Sequence, residues 1–416
     1  MCPGMRRGSG VLRERDFRLV YGAEVVSVLG DGVVPVALAF AVLDLTGSAT
    51  DLGLVLACRA VPMVACLLAG GVVADRLSRR RVMITADLVR LFSQGLLGVL
   101  LVTGNAQLWQ VAALQAILGA ASGFFNPAST GLIPTVVSAA GLQDANALRG
   151  MAVAGGEVAG PAIAGILVAA VGSGEALLLD AGTFAVSALL LARVRVRDRP
   201  RDAPRQRFVA DLLAGWGEVR SRTWVWSIIG AFSLVNVLIA PFYVLGPLVA
   251  RRELGGAAAW AGILAARGAG QLLGALLSLQ LRPAKPLRTA VLACGLGFLP
   301  TALLAARAPA VAIAAAALVG GAGIMLFNTL WETTLQRHVP PEALSRVSAY
   351  DWFGSLTFQP IGFAVAGPVA VALGVTPTLW GAAALELVLV VSLLLVRDVR
   401  RLGPSAPRDP VAAGAP

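Results

Sequence analysis

The sequence predicts an all-α membrane protein: twelve transmembrane helices in two pseudo-symmetric six-helix bundles. Three observations carry that prediction. The chain of 416 residues is 57% hydrophobic and 14% charged, whereas a soluble domain is about 45–50% apolar and about 25% charged. Its apolar residues fall into long runs separated by short Gly-, Pro- or Arg-containing turns. Its basic residues collect in alternate turns.

Twelve runs can be traced, at 17–44, 50–74, 82–103, 108–137, 146–171, 175–194, 223–249, 255–280, 288–306, 310–336, 346–371 and 378–396. Each approaches the ~20 residues that cross a hydrocarbon core. Residues 108–171 are the most interrupted, by Asn126-Pro127, Pro134 and a polar turn. The expected organisation is an inner tail at 1–16, a first bundle at 17–194, a linker at 195–222, a second bundle at 223–397 and a tail at 398–416. The first run is too long for a signal-peptide core, and no small-residue cleavage site follows it, so it reads as an uncleaved helix. The last tail is rich in Pro, Ala and Gly and is expected to be disordered.

Charge sets the orientation. With the amino terminus inside, 28 of the 34 Lys and Arg residues lie on the inner side. Arg251, Arg252 and Arg307 lie outside, and Arg59, Arg90 and Arg267 lie within the membrane. Cytoplasmic loops carry such an excess, so both termini of this multi-pass cell-membrane protein are expected in the cytoplasm. Arg251-Arg252 is the clear exception, expected at headgroup level beside Glu253.

A constant shift of 202 residues aligns unusual positions of the two halves. Phe125-Asn126 matches Phe327-Asn328, and Gly119 matches Gly321. Gly160, Gly165 and Gly172 match Gly362, Gly367 and Gly374. Parallel repeats of this kind are a known transporter architecture, with the substrate site at mid-membrane between the halves.

The turn between runs 2 and 3 reads Gly71-x-x-x-Asp75-Arg76-x-x-Arg79-Arg80-Arg81. It resembles the signature loop of the major facilitator superfamily, with Ser78 where Gly is usual. A second set is Phe124-Phe125-Asn126-Pro127-Ala128, Pro134, Asp144-Ala145-Asn146-Ala147-Leu148 and Gly160-Pro161-x-x-x-Gly165, joined by Gln336, Pro340, Arg346 and Val347. It resembles the branch of macrolide-efflux and enterobactin-exporter-like proteins. The resemblance covers about residues 15–400.

The resemblance implies alternating access and, for efflux members, exchange of substrate for protons. It implies gating parts for Gly71, Asp75, Arg76 and Arg79, with Asp75 beside the start of helix 11, where the helix dipole favours a carboxylate. Arg79, Arg80 and Arg81 read either as partners of acidic groups or lipid phosphates or as a plain topology-setting turn, and Arg80 alone reads as the turn. Gly160, Pro161 and Gly165 resemble an antiporter motif, in which proline kinks the helix and glycine allows close contact.

Ionisable residues at hydrocarbon depth are functional candidates, because burying them unpaired is costly. Asp31, between Gly30 and Gly32, and Arg59 lie at comparable depth. They read either as a proton or cation-substrate site at Asp31 or as a fixed pair. Glu157 and Arg267 lie midway along runs 5 and 8. The resemblance sets those helices face to face across the halves, so a contact would bear on gating or coupling. Asn126 and Asn328 read as substrate ligands or as braces for kinked helices. Glu24, Glu332 and Asp351 read as snorkelling groups paired with Arg337 or Arg346. Aromatics such as Phe40, Phe124, Phe232, Tyr243, Phe327 and Trp331 are pocket-lining or packing residues.

Other classes are disfavoured. Four cysteines without metal spacing and one histidine, His338, give no metal centre. There is no P-loop, no nucleophile–histidine pair and no nucleic-acid motif. The expected function is proton-coupled export of an apolar or amphipathic small molecule by a monomer without cofactor or catalytic residues. Export of a siderophore or other metabolite, uptake, and a non-transporting sensor or scaffold remain as alternatives.

Overall fold

The computed structural model describes residues 11–138, 141–195, 216–340, 347–348, 350–351, 353–354 and 357–403, without the side chains of residues 68, 69 and 71–76. The first six helices are α1 (Arg15–Thr46), α2 (Ala49–Arg76), α3 (Arg79–Val102), α4 (Leu108–Val136), α5 (Leu142–Ala170) and α6 (Ser173–Ala192). The second six are α7 (Thr223–Leu254), α8 (Ala257–Gln280), α9 (Pro286–Ala305), α10 (Ala310–His338), α11 (Gln359–Leu373) and α12 (Val375–Leu393). Among the described residues eleven are long and apolar enough to cross a bilayer, and α11 is shorter. Twelve passes return Leu393 to the face where Arg15 begins. We call that face the tail face and its opposite the far face.

Local chemistry explains the breaks. α1 turns at Gly32-Val33. α7 is divided near Ile239 before Pro241 and ends in a wide π turn, Ala250–Leu254. α9 tightens into a single 3-10 turn at Gly295–Gly297. Residues 108–137, expected as one run despite their prolines, form one helix. α4 runs unbroken through Pro127 and Pro134, because neighbouring groups can satisfy the backbone positions that proline leaves open.

The repeated glycines occupy matching places. Gly160 of α5 lies against Gly32 of α1, and Gly362 of α11 lies against Val237 of α7. Each thus holds its own bundle's first helix. Gly165 of α5 meets Ala261 of α8, and Gly367 of α11 meets Thr50 of α2. Each thus meets the other bundle. Gly172 and Gly374 precede α6 and α12 at φ of 117° and 93°, where a side chain would be strained.

Two seams therefore join the bundles, α5 to α8 and α2 to α11. Lipid supplies no hydrophobic drive between helices, so close approach of small residues carries such seams. Near the far face the bundles share one core, with Leu38, Leu43, Leu52, Val244, Trp260 and Phe363. Near the tail face each has its own. Phe17, Met83, Phe125 and Leu132 belong to the first core, and Trp224, Phe232, Phe327 and Trp331 to the second. Among the described residues the bundles are joined at the far face, and no core cluster spans them at the tail face.

A pair at the far face adds to the closure. Arg251, on the π turn, lies 3.3 Å from Asp44 at the end of α1 and donates to the Leu43 carbonyl. Glu253, the neighbour expected for Arg251-Arg252, pairs instead with Arg307 at 2.5 Å. The exception to the charge rule is thus a contact between the bundles.

Candidate functional site: a buried charge cluster

Four helices build a polar cluster inside the first bundle. α1 brings Asp31, α2 brings Arg59, α3 brings Asp87, Arg90 and Gln94, and α6 brings Asp180 and Ser187. Arg90 is 3% exposed. Its guanidinium lies 3.5 Å from Asp31 and 3.4 Å from Asp87. It also donates to Ser122 at 3.2 Å and Ser27 at 3.4 Å. The rings of Phe125 and Phe184 flank it at 4.6 and 4.7 Å, where aromatic quadrupoles attract a cation. Asp87 also accepts the Ser187 hydroxyl at 2.6 Å.

The cluster opens at Asp31. Arg59 lies 3.8 Å from it, and the two side chains are 23% and 31% exposed. Depth along α1 and α2 predicted this proximity, and Arg90 makes it a three-residue arrangement. The flanking glycines have separate uses. Gly30 admits the Asp180 carboxyl, and Gly32 admits α5.

Glu157 and Arg267 lie on the α5–α8 seam, where Gly268 packs on the Glu157 backbone. Each side chain also has a hydrogen-bond partner of its own. Glu157 is hydrogen-bonded to Gln271. Arg267 donates to the Tyr243 hydroxyl, and its guanidinium lies 5.5 Å from that ring's centre. The Arg267 charge acts on the Glu157 carboxyl, though no described ion pair joins the two. Arg267 is instead the structural counterpart of Arg59, since Gly321 of α10 packs on the Arg267 carbonyl as Gly119 of α4 packs on that of Arg59.

The other predicted residues are placed as follows. The side chains of Gly71, Asp75 and Arg76 lie outside the described residues. Arg79 donates to the Gly131 carbonyl of α4. Arg80 donates to the Leu191 carbonyl at 2.8 Å and to that of Ala192. Cations at the last carbonyls of a helix complement its dipole, so Arg80 caps the end of α6. Asn126 and Asn328 are both exposed, each after a buried phenylalanine. Pro161 is buried within α5. Glu24 pairs with Arg149 at 2.7 Å, and Asp351 accepts the Trp331 indole at 2.9 Å; of the two loop arginines expected as partners, Arg337 pairs with neither among the described residues, and Arg346 lies outside them. Phe232 and Phe327 stack at 4.0 Å within the second core and are packing residues.

Sequence reasoning missed Asp87, Asp180 and Glu386. Each is an isolated acid in an apolar run, which was the available signal. Asp180 accepts Gln94 Nε2 at 2.8 Å, and Gln94 accepts Gln115 Nε2 at 3.0 Å. Glu386 of α12 faces Gly297 at the tight turn of α9 and has a buried oxygen without a partner among the described residues. A cavity of about 190 Å³ lies away from both, at the tail face of the second bundle between Arg282, Thr333 and Arg337.

Two six-helix bundles, joined at one face and carrying mid-membrane charges, define the class of membrane transporters. The model of the Major Facilitator Superfamily matches residues 20–355, and the chain belongs to that superfamily. It is 27% identical to the multidrug efflux pump Tap of Mycolicibacterium fortuitum, over 86% of this chain and 90% of the pump. It is 29% identical to the enterobactin exporter EntS of Salmonella typhimurium, over 84% of each. The solved nucleoside transporter NupG shares the fold at a TM-score of 0.75 and 14% identity, covering 91% of this chain and 99% of that one.

Proposed function

We propose that this protein is a secondary active exporter of an apolar or amphipathic small molecule, driven by proton antiport. The tail face is cytoplasmic in this reading, as supported by the 28 of 34 basic residues assigned to that side. The observation that carries the reading is Asp31, a half-buried carboxylate between Arg59 and Arg90 in a molecule whose bundles join at one face. Protonating Asp31 removes its attraction for both arginines and frees their charge. A cargo and a proton that compete for this arrangement exchange with each other as access alternates. The similarity to one efflux pump and one exporter supports the outward direction.

The test is flux in proteoliposomes under an imposed pH gradient, with ethidium, erythromycin and enterobactin as cargo. The wild type is expected to move at least one of them in response to the gradient. Asp31→Asn is expected to lose that response while keeping exchange without a gradient. If no cargo responds, antiport fails. Enterobactin alone responding would select the siderophore reading, which the EntS similarity favours.

A further inference from the structure

The cluster in the first bundle holds three carboxyl groups and two guanidinium groups. Asp31 uses Arg59 and Arg90. Asp87 uses Arg90 and the Ser187 hydroxyl. Asp180 is 0% exposed and has no cation among the described ion pairs. Its Oδ2 accepts the Gln94 amide at 2.8 Å, while its Oδ1 is buried without a hydrogen-bond partner among the described residues. Gln115, which donates to Gln94, also ends in a buried oxygen without a partner.

Every element packed on Asp180 can be named for its charge. α1 presents Asp31, α2 presents Arg59, and α3 presents Arg90 with Gln94. α4 contributes neutral Gln115, joined through Gln94. A buried carboxylate needs a cation or a full set of donors, and Asp180 has one neutral donor. Adding a proton removes the excess negative charge. It also turns Oδ1 from an unpaired acceptor into a donor, in a chain of side chains whose two loose ends are both acceptors.

The position suits exchange with water. A Cβ added at Gly30 would lie 2.5 Å from Asp180 Oδ1, so this oxygen rests against the α1 backbone beside Asp31. The Asp31 side chain is the exposed end of the cluster.

We propose that Asp180 is a proton-binding site of this protein, occupied in the far-face-closed state, with Gln94 as its positioning partner and Asp31 as its route to water. This rests on the proposed antiport and names a second residue for it. Loss of the proton from Asp180 to water leaves one added negative charge beside Arg59 and Arg90. That charge strengthens their hold on the first bundle. Proton release is thereby tied to the charge that a cargo meets.

The test is infrared absorption of the full chain in lipid vesicles at neutral pH, read at the carbonyl stretch of a protonated carboxyl group, which shifts in D2O. The wild type is expected to show such a band. Asp180→Asn is expected to remove it, while Asp31→Asn and Glu386→Gln leave that component in place. Gln94→Leu removes the donor and is expected to shift the band's frequency. It serves as the second variant if Asp180→Asn does not fold. A wild-type spectrum unchanged by Asp180→Asn, or by Gln94→Leu where only that variant folds, overturns the proposal. The readout needs no cargo, so it is independent of the flux experiment. Absent flux in the wild type would sink the antiport reading, and an unmoved band would sink only Asp180.

Discussion

Arg90 joins more of the first bundle's polar interior than any other described side chain, and two aromatic rings flank it. Arg90→Leu leaves Asp87 buried with only a hydroxyl, and breaking a buried pair this way costs about 3–5 kcal/mol. We expect a large fall in melting temperature, partly recovered in the double variant with Asp87→Leu. Glu386 gives the opposite expectation. Its carboxyl has no hydrogen bond or ion pair among the described residues, so Glu386→Leu is expected to hold or raise the melting temperature, as apolar replacement of buried ions often does by ~1–4 kcal/mol. A fall would give weight to the Arg267 charge, which acts on this carboxyl without forming an ion pair. Depth along the runs made the proximity of Asp31 and Arg59 legible. It could not assemble Asp87, Asp180 and Gln94, whose meeting depends on how α3 and α6 face each other. Nor could it choose partners for Glu157 and Arg267, because Gln271 and Tyr243 lie within reach of the same seam.

The matched glycines were legible at the level of elements because each marks either a helix approach that tolerates no side chain or, at Gly172 and Gly374, a turn at positive φ. Their roles diverge in a way that can be measured. Gly160→Val presses on α1 within one bundle, and overpacking of this kind costs about 1–3 kcal/mol, so the melting temperature should fall. Gly165→Val acts on the seam to Ala261. It is expected to leave each bundle intact and to open the far face. Spin labels at Asn105 and Ala306, in a background without native cysteines, would read a longer distance. An unchanged distance would show that this seam does not control closure. The equivalence of Arg59 and Arg267 was hidden by spacing. Phe-Asn on α4 and α10 repeats at 202 residues, while the two arginines are 208 apart. The prolines of α4 did not end the run traced at 108–137. Their penalty is local, and it is offset when neighbouring helices satisfy the freed backbone groups.

Hydropathy and charge made the number of passes legible for the whole molecule, but not the state it occupies. That state follows from where the cores merge, and merging depends on contacts between residues far apart in the chain. Arg251 and Asp44 test it. Asp44→Asn removes an ion pair between bundles, so the far face should open more often, with little change in melting temperature. The same spin-label distance should broaden toward longer values, and charge reversal at both positions should restore it. Failure of the reversal would assign the closure to the apolar core alone. Among the described residues, one core shared at the far face and two separate cores at the tail face form a wedge. A wedge claims more area in one leaflet than in the other. Reversing it moves lipid area between leaflets, so the packing pressure of the surrounding bilayer acts directly on the balance between its two states.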